Sequence, residues 1–541
     1  MIAETRLTTG EYLVRLLESY GVELIFGIPG VHTVELYRGL PATRIRHVTP
    51  RHEQGAGFMA DGYARVTGKP GVCFIVTGPG MTNIATAMGQ AYADSVPMLV
   101  ISAVNARDQL AMSQGRLHEL PSQRNLVAGV SAFSHTLLDP AQLPEVMARA
   151  FTVFNSARPR PVHIEIPLDI IVAEAGHLSA EAWPLPGRAA ADPASIDKAI
   201  SILMAAKRPM IVAGGGAADA AAEITAIAEK LDAPVFMTIN GRGILKPGHA
   251  LTLTGNLSME PLLAELSASD AILAIGTEFG ETEMYPEPKP LTFGGPLIRI
   301  DIDPAQIVTG LRADVPIAAD AKLAAAALNA ALGTISKVGD GAARAESVRE
   351  KVDAGLWPAC HTHGRLMEII TKTLPDAIVA GDQTEPVYAV NQFYQAPQVR
   401  SFFNSSTGYG TLGYGLPAAF GAKLGAPNRP SVCLIGDGGL QFSLPELASA
   451  VEAGIAAAVV IWNNTSYGEI KTFMAERDIP QIGVDIFTPD FVGLAKALGC
   501  EASRPGSIAE LEAELTSSAT RNVPTVIEIM AGSVLAQALE R

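Results

Sequence analysis

The chain has 541 residues, too many for one hydrophobic core, so two to four domains are expected. Hydrophobic residues make up 48% and charged residues only 18%, which excludes a disordered or low-complexity protein. The formal net charge of −15 argues against nucleic acid or an anionic membrane as a partner, and no apolar run reaches the roughly 18 residues of a membrane span.

In chain order, residues 1–6 lack the apolar core of a signal peptide. Short apolar, β-branched runs at 24–26, 44–48, 72–77, 98–102 and 162–166 read as strands. A small, Pro- and Gly-bearing stretch at 185–193 reads as a linker. Strands follow at 209–213, 234–238, 271–275 and 297–302, and a polar, charged stretch at 334–354 reads as a second linker with some helix. The last third adds strands at 377–380, 431–435, 456–462 and 525–529. Near-continuous apolar strands separated by amphipathic helices imply α/β architecture: three doubly wound parallel-sheet domains, at 1–184, 192–335 and 355–541. The sequence shows no repeat. The four cysteines, Cys73, Cys360, Cys433 and Cys500, have neither ligand nor disulfide spacing, which fits a reducing cytoplasm.

The densest pattern lies in the last third. Ile435-Gly436-Asp437-Gly438-Gly439 closes a strand, a helical pattern follows, and a second strand ends at Trp462-Asn463-Asn464, with Asn464 27 positions beyond Asp437. A right-handed crossover makes the two strands parallel and brings Asp437 and Asn464 to the same, carboxyl end. A carboxylate and an amide oxygen are hard ligands of the kind Mg²⁺ takes alongside substrate phosphates. Gly436, Gly438 and Gly439 leave room for a diphosphate against the backbone. The unit resembles the diphosphate-binding motif of thiamine diphosphate enzymes.

That cofactor needs a carboxylic acid at N1′ of its pyrimidine, in an apolar pocket, so that its own amino group can take the C2 proton. Glu53, in Arg51-His52-Glu53-Gln54-Gly55-Ala56-Gly57, follows a predicted strand and opens a helix with a small-residue face, against which a ring or another helix can pack. A first-turn glutamate complementing the helix dipole would read the same way. The cofactor must also be bent by an apolar wedge. Gly408-Tyr409-Gly410-Thr411-Leu412-Gly413 offers Leu412 as the wedge and the Gly410 carbonyl as an acceptor for the amino group, or else is simply a flexible loop before a helix.

Together with Gly27-Ile28-Pro29-Gly30 and Thr77-Gly78-Pro79-Gly80-Met81-Thr82-Asn83, these segments resemble the acetolactate synthase-like family of thiamine diphosphate enzymes over nearly the whole chain. The resemblance implies pyrimidine-binding, central and diphosphate-binding domains. It implies Asp437, Asn464 and the Ser466 carbonyl as Mg²⁺ ligands, and a homodimer or homotetramer with Glu53 of one subunit facing Asp437 of another. The chain departs from acetolactate synthases in the central domain, where Gly276-Thr277-Glu278-Phe279-Gly280 places a carboxylate where they carry an arginine. FAD is therefore not expected, although Gly214-Gly215-Gly216 resembles a nucleotide turn. No tryptophan follows the Asn-Asn pair. The wording Tyr467-Gly468-Glu469-Ile470-Lys471 resembles the branch that decarboxylates 5-guanidino-2-oxopentanoate. His118, Glu119 and Glu469 are then candidates for the substrate tail, since a carboxylate facing a guanidinium gives a bidentate pair. Glu469 could equally pair with Lys471. The expected activity is non-oxidative decarboxylation of a 2-oxo acid to an aldehyde and CO₂. The alternatives are acetolactate synthesis, another thiamine-dependent lyase, or a redox protein using FAD or a quinone.

Overall fold

The computed structural model describes residues 7–284 and 290–540, so the amino-terminal stretch 1–6 and Arg541 lie outside the described residues. The described chain forms three six-stranded sheets whose strand pairs are all parallel. The first sheet contains β1 (Leu24–Gly27), β2 (Arg46–Val48), β3 (Gly71–Ile75), β4 (Met98–Val104), β5 (Phe133–Thr136) and β6 (Val162–Pro167), in the order β2-β1-β3-β4-β6-β5. The second contains β7 (Pro209–Ala213), β8 (Val235–Met237), β9 (Thr252–Leu253), β10 (Ala271–Ile275), β11 (Leu297–Asp301) and β12 (Val315–Ala318), in the order β12-β11-β10-β7-β8-β9. The third contains β13 (Ile378–Gly381), β14 (Phe402–Asn404), β15 (Ser431–Gly436), β16 (Ala458–Asn463), β17 (Glu501–Ser503) and β18 (Thr525–Met530), in the order β14-β13-β15-β16-β18-β17. The first and third sheets therefore share one topology despite unlike sequences. The middle sheet has the other common doubly wound order.

The inner strands follow from their apolar runs, and they are buried on both faces. The sequence pattern does not mark β5, β9, β12, β14 or β17, and each of these is a sheet edge. Such strands are short, and β12 alternates buried and exposed residues, so no apolar run announces them. The polar stretch 334–354 contains the helix Gly341–Ala354. Ala345, Val348 and Val352 stand on one face of it and pack with Leu253, Leu262 and Leu266 of the central unit. The rest of its surface is polar, which conceals the buried stripe. All four cysteines are free and buried. No described helix is long and apolar enough to cross a membrane.

The first and third units pack directly on each other. Helix Glu53–Thr67 crosses helix Gly415–Gly425 so closely that a Cβ on Gly62 would stand 2.0 Å from the Ala418 carbonyl oxygen. The small face of the Glu53 helix thus receives another helix.

Inside the first unit, His163 is fully buried between two hydroxyls, Ser102 Oγ at 2.8 Å from Nε2 and Ser134 Oγ at 2.7 Å from Nδ1. Burial pushes its imidazole down to about 3. Below the unfolded value of about 6.5 the unfolded chain binds a proton that the folded one refuses, so the stability this group contributes is present above that pH and is lost as pH falls toward 3. The slope is about 1.4 kcal/mol per pH unit. The Tm should therefore fall between pH 6.5 and 4.5 less steeply in His163→Gln than in the wild type. Parallel Tm curves for the two proteins would refute this.

Candidate active site

In sheets of this order, ligands sit at the carboxyl ends of strands where the winding reverses. In the third sheet that point lies between β13 and β15. β13 runs into Asp382, β15 into Asp437, and the neighbouring β16 into Asn464. Asp437 is 2% exposed and opens the short helix Asp437–Gln441. Its Oδ2 accepts from Thr488 Oγ1 at 3.2 Å, and its carboxylate also takes the backbone N–H of Gly438 and Asn464. Burial pushes the Asp437 carboxyl up, partly offset by these bonds. Asn464 Oδ1 accepts the Ser466 backbone N–H at 3.1 Å across a turn in which Thr465 has φ +56°. The structure therefore brings Asp437, Asn464 and Ser466 together as the crossover requires. This donor set fits a hard divalent cation: a desolvated carboxylate with no basic side chain among its described partners, an amide oxygen and a backbone carbonyl. Gly438 lies under the Tyr467 ring, which a Cβ would meet at 2.5 Å, so the close approach of that ring requires glycine here.

Asp382 holds the next piece. It is fully buried, and its carboxylate accepts the N–H groups of Gln383 at 2.8 Å, Gly413 at 3.2 Å and Gly415 at 2.9 Å. Burial raises it to about 6 against the pull of those bonds. The loop it pins carries Gly410, exposed with φ +76°, and half-buried Leu412. The positive φ values of Gly410 and Gly413 require glycine there.

Glu53 stands at the first position of its helix, 9% exposed, with Oε2 accepting from Asn83 Nδ2 at 2.9 Å. Asn83 lies on helix Pro79–Ala93, which begins at the end of β3. Gly80 on the same helix clears Glu53, since a Cβ there would be 3.3 Å from Oε1. The start of the Glu53 helix is fixed from the third unit: the buried Glu446 carboxylate accepts the backbone N–H of Arg51 at 3.1 Å and of His52 at 3.0 Å. A Cβ on Gly55 would strike Glu446 Oε1 at 2.2 Å.

The tail candidates differ. Glu119 is half-buried and turned to its own loop, accepting the N–H of Arg116 at 3.0 Å and of Gln114 at 3.3 Å, and these bonds hold its carboxyl below the usual range. His118 has φ +59°, and its ring meets that of His32 edge-on at 4.9 Å. Glu469 is exposed in the first turn of helix Gly468–Ala475, while Lys471 pairs with Asp485 at 2.5 Å.

Sequence reasoning missed Asn83, Asp382, Glu446 and Gln90 as site residues. Asp382 could have been found: it ends a predicted strand, as Asp437 does. Asn83 stands one helical turn beyond Gly80. Glu446 and Gln90 carry no local signal, because their partners are hundreds of residues away.

A cavity of about 350 Å³ opens where the three units meet, lined by Gly215, Gly216, Thr277, Glu278, Asp301 and Arg400 among others. It lies at the reversal point of the middle sheet, between β7 and β10. A Cβ on Gly214 would be 2.2 Å from the Gly276 carbonyl oxygen, so that glycine serves the crossing of two loops. Glu278 pairs with Arg158.

Three family descriptions match the chain: "Thiamine pyrophosphate enzyme, N-terminal TPP binding domain" over residues 7–126, the central domain of the same enzymes over 196–328, and their C-terminal TPP binding domain over 382–529. The chain is similar to the probable 2-ketoarginine decarboxylase AruI of Pseudomonas aeruginosa, at 46% identity covering 98% of this chain and 95% of that protein. It is also similar to the probable acetolactate synthase large subunit of Methanocaldococcus jannaschii, at 31% identity over 96% of this chain and 91% of that one. The acetolactate synthase isozyme 1 large subunit of Escherichia coli is 31% identical over 97% of this chain and 94% of its own length.

Proposed function

Because the chain belongs to the thiamine pyrophosphate enzyme family, we propose that it uses thiamine diphosphate and Mg²⁺ to decarboxylate a 2-oxo acid to an aldehyde and CO₂, and that this acid is 5-guanidino-2-oxopentanoate. The observation that carries the reading is 46% identity, over 98% of the chain, to a probable 2-ketoarginine decarboxylase, against 30–33% to acetolactate synthases.

When bound, the cofactor supplies the carbon nucleophile and the electron sink. Glu53, oriented by Asn83, would hold a proton at N1′ of the pyrimidine. The Gly410 carbonyl would accept from the 4′-amino group, with Leu412 as the apolar wedge beside it. Asp437, the Asn464 side chain and the Ser466 carbonyl would hold the Mg²⁺, and the backbone of Gly436, Gly438 and Gly439 would take the diphosphate. Two copies of the chain share each site, Glu53 from one and Asp437 from the other, in a homodimer or homotetramer. Flavin has no part in the reading, because Glu278, paired with Arg158, stands where the acetolactate synthase run carries an arginine. Buried free cysteines suit a reducing cytoplasm. His118, Glu119 and Glu469 flank the substrate, and Glu469 is the candidate for the guanidinium.

Incubation with a panel of 2-oxo acids tests the function. Release of CO₂ with 4-guanidinobutanal from the 5-guanidino acid is expected, and acetolactate formed from pyruvate as the main product would restore the synthase reading. Glu469 is exposed in the single chain, and bound substrate with the second copy would bury it in the shared site, where removing one charge of a desolvated pair costs on the order of 2–5 kcal/mol, or roughly 30-fold and more. Glu469→Gln should therefore lower kcat/KM by that factor for the 5-guanidino acid and little for neutral 2-oxohexanoate. Equal losses on both acids would assign Glu469 to the chemistry or the fold.

A further inference from the structure

Gln90 lies on the same helix as Asn83, seven positions later, which is two turns and about 10 Å along the same face. It has no exposed surface, and both ends of its amide reach into the third unit. Oε1 accepts the Thr411 hydroxyl at 2.9 Å and the Thr411 N–H at 3.4 Å. Nε2 donates to the Thr407 carbonyl at 3.1 Å and to Asp94 Oδ2 at 2.9 Å. Asp94 in turn accepts from Thr407 Oγ1 at 3.0 Å and pairs with Arg65. The stretch between the two threonines contains Gly408 and Gly410, both at positive φ, and Leu412 follows directly.

Burying an amide brings little net stability, because its bonds replace bonds to water. What this amide does is define a loop. Glycines at positive φ leave a chain many conformations, and Gln90 ties that chain down on both sides of Gly410.

We propose that Gln90 is a positioning residue for the Gly410–Leu412 loop, so that one rigid helix orients, through Asn83, the acid of one shared site and, through Gln90, the loop of the other. The proposal rests on the roles given above to Gly410 and Leu412.

The test uses Gln90→Leu, Thr411→Val, their combination, Thr411→Ser and Leu412→Ala in the full-length protein. Three quantities are read: steady-state kinetics, thiamine diphosphate affinity by calorimetry, and hydrogen–deuterium exchange at C2 of the bound cofactor after acid quench. A misplacement of about 1 Å costs on the order of 100-fold. Gln90→Leu should thus lower kcat by roughly 10- to 100-fold and slow C2 exchange by the same factor. The KM for the 2-oxo acid should stay within about twofold, since only the loop moves. Thr411→Val should do the same in part, the double variant should be no worse than Gln90→Leu alone, and Thr411→Ser should restore exchange. Unchanged exchange and kcat in folded Thr411→Val and Gln90→Leu, or strictly additive losses in the double variant, would overturn the proposal. If Gln90→Leu does not fold, the contrast between Thr411→Val and Thr411→Ser decides alone. Normal exchange in Leu412→Ala would instead show that the wedge reading had failed, whereas slow exchange there with normal Gln90→Leu condemns only the role of Gln90.

Discussion

Glu53→Gln should fold, bind the cofactor and lose most of its turnover. An amide cannot share a proton with N1′, and a placed acid or base contributes typically 10²–10⁴-fold. The loss is expected in kcat and in C2 exchange together. The fold should survive because Gln is isosteric and its amide oxygen can still accept the Asn83 Nδ2 hydrogen bond now made by Glu53 Oε2. The helix start is held separately, by Glu446 on the N–H groups of Arg51 and His52. Turnover within a few-fold of wild type would remove Glu53 from the chemistry. Lost cofactor affinity together with a lowered Tm would make it a structural residue.

Asp437→Ala should separate metal binding from folding. The Asp437 carboxylate is buried and pushed up by desolvation, so its removal from the protein without cofactor offsets a desolvation cost against the loss of the Thr488 hydrogen bond and of the acceptor for the Gly438 and Asn464 N–H groups. The stabilisation gained by adding thiamine diphosphate with Mg²⁺ should vanish, since a ligand stabilises the folded protein only through its binding, by about 2.7 kcal/mol at 100 times Kd. Calorimetry showing unchanged cofactor affinity would refute the ligand role. The same variant tests the shared site. Co-expressed with Glu53→Gln, it should yield hybrid dimers in which one site keeps both Glu53 and Asp437, and the mixture should regain about a quarter of wild-type activity. No recovery from verified hybrids would place both residues of a site in one subunit.

Much of the site could be read in the sequence because its chemistry is local. Asp437, Asn464 and the glycines between strands belong to one crossover, and the apolar runs of β15 and β16 fix its handedness and hence the meeting of Asp437 with Asn464. Glu53 could be read from a strand followed by a helix start. The inner strands were legible for the same reason: burial on both faces demands continuous apolar residues. The edges β5, β9, β12, β14 and β17 were not, since an edge strand is held by its neighbour's backbone and needs few apolar side chains.

By itself, then, the sequence determined the α/β class and the thiamine diphosphate family, and it brought forward the residues proposed to hold that cofactor, because each depends on a few consecutive side chains and the strand beneath them. Only the tertiary structure decided what holds those residues still. Asp382 meets Gly413 and Gly415 across some thirty residues, Gln90 meets Thr411 across 321, and Glu446 meets Arg51 and His52 across 395 and 394. The first joins two loops of the third unit, and the other two cross between the first and third units, whose facing helices share one buried core. Such bonds have no periodicity and no motif, because the partner's identity depends on how two helices cross, here with backbone against backbone at Gly62 and Ala418. That crossing is set by packing over the whole interface and cannot be inferred from either segment alone.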